Sequence, residues 1–295
     1  MNKHRNSEEA IQLLDELLEL RAAKKSTSAQ KASSGMAAKA VGEECADSQA
    51  EVAQAPEHDN AMQCPQRQLS KLADEVREDV EAFISGLTRL LFNEFDFQMQ
   101  LCLFLREQKH RGYEAVDAEY FLPIRQPEKK KEILADYDWD SNMRVDIVVR
   151  RGGEYVPVEL KYTTCSVVRA LDRFGRTFQN MEVLRNQGAA DIIRYKCWKD
   201  VRRIELIKKI FPTVQSGLAI HLTCNPTYLR DPRAESSSYP FTTSGNHPIG
   251  GGRMGKSDSG IPGHENPFNL EGIYRMEWKN INIDGIDFYY EILNI

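Results

Sequence analysis

At 295 residues with 41% apolar side chains, the chain is long enough for one large or two small domains around a sizeable core. A mean hydropathy of -0.53 and the lack of any apolar run of about 18 residues exclude a membrane-spanning helix. A net charge of -5 excludes a uniformly basic nucleic-acid binder, yet residues 161–209 alone carry 12 basic and 5 acidic side chains.

The first residues, MNKHRNSEEA, have no apolar core behind their basic side chains and do not read as a secretory signal. Cys45, Cys64, Cys102, Cys165, Cys197 and Cys224 show no close metal-ligand spacing. Both features point to reduced thiols in a cytoplasmic protein. Residues 1–25 form a first unit, in which Ser7 opens an amphipathic helix bearing Ile11, Leu14, Leu17 and Leu18. Its apolar stripe needs a surface: the main domain, a protein partner or a second copy. Residues 26–69 are rich in Ala, Lys, Ser, Gln and Glu without apolar period and read as a disordered linker. The remaining 70–295 is the main domain.

Helical periodicity runs from Ser70 to Lys109, with Gly86 or Asn93 as a break that makes two helices. Glu94 and Gln98, four apart, share a face of the second. Tyr113 to Ile124 reads as a strand with Asp117 and Glu119 on one side. The charged connection that follows contains Asp136, Asp138 and Asp140 but lacks the glycine and the final acid of a calcium loop.

Arg144 to Thr164 reads as a β-hairpin. Val145, Ile147, Val149, then Val156, Val158, Leu160 and Tyr162 alternate as strands with one face on a core, and Gly152-Gly153 supplies the turn. If Arg151 faces Glu154, Asp146 lies opposite Glu159, with Lys161 two residues along the same face. Two carboxylates so placed repel each other. Either the face is solvated and Lys161 bridges them, or a hard divalent cation sits between them with waters and phosphate oxygens.

Beyond the hairpin, Arg169, Arg173 and Arg176 lead into a long helical region that ends near Phe211-Pro212. Gln187, Asp191, Tyr195, Lys199 and Arg202 or Arg203 form its polar stripe, opposite Trp198, Val201, Ile204 and Ile207. Val214 to Cys224 reads as an interior strand, in which His221 is a hydrogen-bonded core residue and no ligand. The Gly-, Pro- and Ser-rich stretch 225–271 is expected to be a long flexible insertion. It holds a literal P-loop match, Gly250 to Ser257, but the flanks suggest neither the strand nor the helix that a phosphate cradle needs. Ile273 to Ile295 alternates again, with Asp284-Gly285 as a hairpin turn.

Asp146 at the end of one strand, a short hairpin, then Glu159-Leu160-Lys161 in the next resembles the PD-(D/E)XK nuclease superfamily. Val145 stands where the name-giving proline would be, and the resemblance spans roughly 85–224 plus a last strand at the C-terminus. It implies an α/β protein with a restriction-endonuclease-like αβββαβ core, a mixed central sheet flanked by helices. It implies a metal-dependent phosphodiesterase, a nuclease hydrolysing nucleic acid, DNA in the first place, with Mg²⁺ as cofactor and Mn²⁺ as a substitute. On this resemblance Asp146, Glu159 and the Leu160 carbonyl are metal ligands. Lys161 stabilises the attacking hydroxide or the phosphate, and Glu94 positions a second metal or a water. Gln98, Glu119, Gln187 and Tyr195 are accessory, and Arg169, Arg173, Lys199 and Arg202 meet the nucleic-acid backbone. A homodimer would be the simplest way to cut two strands. The alternative is a catalytically silent nuclease-fold module that binds DNA or a protein.

Overall fold

Ser70 opens the first element: its side-chain oxygen accepts the Ala73 N–H, and α1 (Lys71–Ser85) runs from there to Gly86. In this computed structural model, residues 70–122, 143–255 and 267–295 are described. The expected N-terminal helix and linker, most of the charged connection before Arg144, and Lys256 and Ser257 of the P-loop match lie outside them. Asn93 caps α2 (Glu94–Glu107) by accepting the Asp96 N–H at 2.8 Å. Gly86 and Asn93 thus end one helix and begin the next.

The centre is a six-stranded mixed sheet. Its order is β1 (Ala115–Phe121), β2 (Arg144–Arg151), β3 (Glu154–Thr163), β6 (Leu218–Thr223), β10 (Ile286–Asn294) and β9 (Lys279–Ile283). Only β3 and β6 run parallel; the other neighbours are antiparallel. The β2–β3 register pairs Ile147 with Val158 and Arg151 with Glu154, as the alternation predicts, and Gly152 and Gly153 adopt the positive φ of the turn. Asp284 and Gly285 make the matching turn between β9 and β10. Leu72, Val76, Phe97 and Leu101 of α1 and α2 pack with Ile147, Val149, Val158 and Leu160 in one core. Trp198, Val201 and Ile204 of α3 (Ala190–Ile210) build a second core. The protein is therefore mixed α/β, with three α-helices among the described residues, none long and apolar enough to cross a membrane.

Two expectations are corrected. The segment after β3 does not lead straight into a helix; it forms a second hairpin, β4 (Val167–Arg173) with β5 (Arg176–Leu184), and α3 starts only at Ala190. Arginines at 169, 173 and 176 mimic a helical spacing, but Gly175 supplies a turn and Val167, Arg169 and Leu171 alternate. The glycine-rich stretch also contains a strand. β7 (Ile249–Met254) pairs with β8 (Phe268–Tyr274), and 3₁₀ turns occupy Pro226–Leu229 and Tyr239–Phe241. Gly250 and Gly252 sit in that ladder opposite Ile273 and Leu270, not in a loop between a strand and a helix as a phosphate cradle needs. Three glycines have no strand propensity of their own; the packing of Ile249, Met254, Phe268 and Leu270 on α3 supplies the order.

α3 lies close to the sheet where Gly217 precedes β6. A Cβ there would run into Ile204 Cγ2 and stand 3.0 Å from the Pro157 carbonyl oxygen. Gly217→Ala is expected to cost about 1–3 kcal/mol through overpacking, read as a lower urea midpoint with an unchanged m-value.

Candidate active site

The β2–β3 ladder closes at Ile147 and Val158, so the last residues of β3 pair only with β6, from Glu159 with Ala219 to Thr163 with Thr223. Backbone groups on the vacated side need other partners. Side-chain carboxylates take them: Asp146 Oδ2 accepts the Leu160 N–H at 2.6 Å, and Glu94 Oε2 accepts the Tyr162 N–H at 2.9 Å. Glu94 is the first residue of α2, and the Asn93 cap aims it at the strand. Gln98, one turn on and buried, donates to the Asp146 carbonyl at 2.6 Å and to Glu119 Oε1 at 3.0 Å. Glu119 has φ of 52° and interrupts the β1–β2 pairing between Ala118 and Tyr120, a strained non-glycine position beside the cluster.

Glu159 and Lys161 meet α3. Lys161 Nζ lies 2.7 Å from Asp200 Oδ2 and 3.3 Å from the Leu160 carbonyl oxygen. Arg203 joins Glu159 at 2.8 Å and Asp200 at 3.2 Å. Glu159 is 2% exposed, and its Oε1 has no hydrogen-bond partner among the described residues. A small cavity adjoins them, lined by Glu159, Lys161, Asp200, His221 and Glu291.

Four carboxylates, Glu94, Asp146, Glu159 and Asp200, share this neighbourhood with two cations, Lys161 and Arg203, so the fully ionised cluster has surplus negative charge. Burial raises the Asp146 pKa to about 6 against the Leu160 N–H bond, and the Asp200 and Glu94 charges add to it. Burial also pushes Glu159 well up, with Asp200 and Asp146 adding to it and Arg203 opposing. For Lys161, burial disfavours the ammonium but the carboxylates of Asp200 and Glu94 outweigh it, and its pKa is raised. Lys161 is thus a fixed cation and no general base near neutral pH.

Of the expected site residues, Asp146, Glu159, the Leu160 carbonyl, Lys161, Glu94, Gln98 and Glu119 come together. The others do not. Tyr195 is buried in the α3 core against Phe241 and Phe268, at 5.2 and 5.5 Å between ring centroids. Arg202 is buried too, at 3.1 Å from Glu205 and 2.8 Å from Glu271. A helix packed on two sides has no wholly polar stripe, so spacing alone misassigned both. Gln187 is exposed before α3, and its N–H donates to the Thr164 carbonyl. Lys199 Nζ lies 5.9 Å from the Tyr195 ring centroid. Arg169 is tied to Asp284, and Arg173 stacks 4.8 Å over Phe92. His221 is a core residue, 2.9 Å from Thr163 Oγ1, its pKa lowered by burial to about 3.

Asp200 is the residue that sequence reading missed, and Arg203, named there only as an alternative to Arg202, is the arginine that reaches the cluster. Their signal is an acid and a base three apart among Cys197, Trp198, Val201 and Ile204, with Asp200 itself inside the buried stripe of α3 and Arg203 at its edge. Among the described residues no three His, Cys, Asp or Glu side chains stand together at metal-ligand spacing. No protein-family description, no curated protein and no solved structure matches the chain.

Proposed function

We propose that this chain is a divalent-metal-dependent phosphodiesterase acting on nucleic acid, DNA in the first place, with a restriction-endonuclease-like αβββαβ core. One observation carries the reading: Asp146, Glu159 and Lys161 converge where β2 leaves β3, in a cluster with more carboxylates than cations. That surplus, and the unpartnered Oε1 of buried Glu159, fit a small hard cation better than they fit a closed salt-bridge network. Asp146, Glu159 and the Leu160 carbonyl are the groups that would hold it. Bound there, Mg²⁺ supplies a Lewis acid and a water of lowered pKa.

The chain's own residues do the rest. Lys161, held cationic by Asp200, offers a fixed positive charge to a phosphate oxygen. Glu94 and Gln98 set the position of Asp146 and of the β3 backbone. Arg203 pairs with Glu159 through Oε2, and Oε1 of the same carboxylate would be the oxygen offered to a cation. Retained acids alone do not distinguish an enzyme from a silent binding module.

The test is cleavage of linear, circular, branched and single-stranded DNA and RNA with Mg²⁺ or Mn²⁺. Products that vanish with EDTA and fall about 10²- to 10³-fold with Lys161→Ala are expected. A chain that binds Mg²⁺ or Mn²⁺ at neither Asp146 nor Glu159 and yields no product is instead the module.

A further inference from the structure

The β4–β5 ribbon has no core of its own. Every residue from Asp172 to Glu182 is exposed, on both faces, and only Val167 and Leu184 at its base are buried. A lone two-stranded ribbon is marginally stable. This one is fastened at two points: Arg169, in its lower half, binds the Asp284 carboxylate and, at 2.8 Å, its carbonyl, and Arg173, at the turn, stacks over Phe92 next to the α2 cap.

Its tip is costly for what it buries. Phe174 is fully exposed at φ 53°, a conformation that Asn or Gly adopts far more readily. Val168, Phe178 and Met181 are exposed along the same ribbon. Three arginines, 169, 173 and 176, with Arg185 just beyond its end, outnumber the ribbon's Asp172 and Glu182 in a chain of net charge -5. β4 follows β3 directly in the chain, so the ribbon is rooted beside the strand that carries Glu159 and Lys161.

We propose that β4–β5 is a wedge for nucleic acid: Phe174 stacks on or inserts beside a base, and Arg173 and Arg176 meet the flanking phosphates. The inference rests on the nucleic-acid reading above and narrows it to substrates with accessible bases, forked or single-stranded. Exposed aromatics stack on any base face, and apolar wedges between base steps are accompanied by arginines on the backbone. A lipid surface would also accept an aromatic tip, but an arginine-bearing ribbon that follows the strand of Glu159 and Lys161 favours a substrate of that cluster.

The experiment measures binding of fluorescein-labelled blunt, forked and single-stranded DNA in EDTA, with 2-aminopurine at the fork. The wild-type chain is expected to prefer forked and single-stranded DNA and to raise 2-aminopurine fluorescence. Phe174→Ala should weaken forked binding about 5- to 100-fold and remove the fluorescence rise. Arg176→Ala should weaken every substrate alike and reduce the salt slope by about one. Unchanged melting curves confirm that the variants fold. If the wild type cleaves DNA while Phe174→Ala keeps both affinity and fluorescence, the wedge is wrong and the nuclease reading stands. Phe174-dependent binding without Mg²⁺-dependent cleavage leaves the wedge standing and sinks the nuclease. A chain that neither binds nor cuts removes both, and Phe174-dependent binding to anionic vesicles in place of DNA overturns the wedge.

Discussion

Asp146→Asn is expected to make the protein more stable at pH 7.5 while removing all metal-dependent cleavage. The Asp146 carboxyl is pushed up to about 6 in the fold, from 3.8 when free, because burial and the charges of Asp200 and Glu94 penalise its ionised form. Its contribution to stability is fully present below pH 4 and is lost as the pH rises through about 6. At pH 7.5 the wild type therefore carries an ionised group that the fold disfavours. Asparagine keeps an oxygen for the Leu160 N–H and removes the charge. The gain is about 1–3 kcal/mol, a rise of several degrees in Tm. It should vanish toward pH 3, below both the free value of 3.8 and the folded value of about 6, where the wild-type carboxyl is protonated in both states. Added Mg²⁺ should raise the Tm of the wild type and leave the variant unmoved, because only the wild type keeps the ligand pair. A variant that melts lower than the wild type at pH 7.5 would show that Asp146 is stabilised as an ion by its neighbours, and the case for a cation at this cluster would lose its main support.

What the sequence makes legible depends on how far apart the interacting residues are. The β2–β3 register is local: it follows from alternation and the Gly152-Gly153 turn as far as Ile147 and Val158, one step short of the expected Asp146 and Glu159 pair, where Asp146 accepts the Leu160 N–H instead. The caps at Ser70 and Asn93 are equally local. The Asp200 and Arg203 partnership with β3 is not: the two lie about forty residues beyond Lys161, and which face of α3 meets the strand is decided by Trp198, Val201 and Ile204 packing on distant residues. Spacing placed Tyr195 and Arg202 on a polar stripe because a helix covered on two sides buries more than one stripe. The β7 strand was hidden for a related reason. Gly250 to Gly252 have no side chains to announce a strand, and their partner β8 lies beyond the P-loop match.

Glu205 makes the second large prediction. It is buried on α3, and its carboxylate accepts the N–H groups of Glu271 at 3.1 Å and Gly272 at 2.7 Å, the Tyr274 hydroxyl at 2.8 Å and an Arg202 N–H at 3.1 Å. These bonds dock β8 on α3, five residues beyond Asp200 and two beyond Arg203. Glu205→Ala strands two buried backbone donors and a tyrosine hydroxyl, at an expected cost of about 3–5 kcal/mol. Glu271→Ala is the control: half-exposed, Glu271 pairs with Lys209 and with Arg202, which keeps Glu205, so its loss should cost less than about 1 kcal/mol. Urea unfolding gives both numbers, and hydrogen exchange at Leu270 to Tyr274 should quicken in Glu205→Ala ahead of β3 and β6. If those amides and the central strands instead open together, β8 is not a separately docked element and Glu205 stabilises the whole domain. Early opening of β8 alone, with DNA cleavage retained at low temperature, would mean that α3 holds Asp200 and Arg203 in place through its own contact with the sheet. Cleavage lost in step with β8 would make the hairpin part of what positions Lys161.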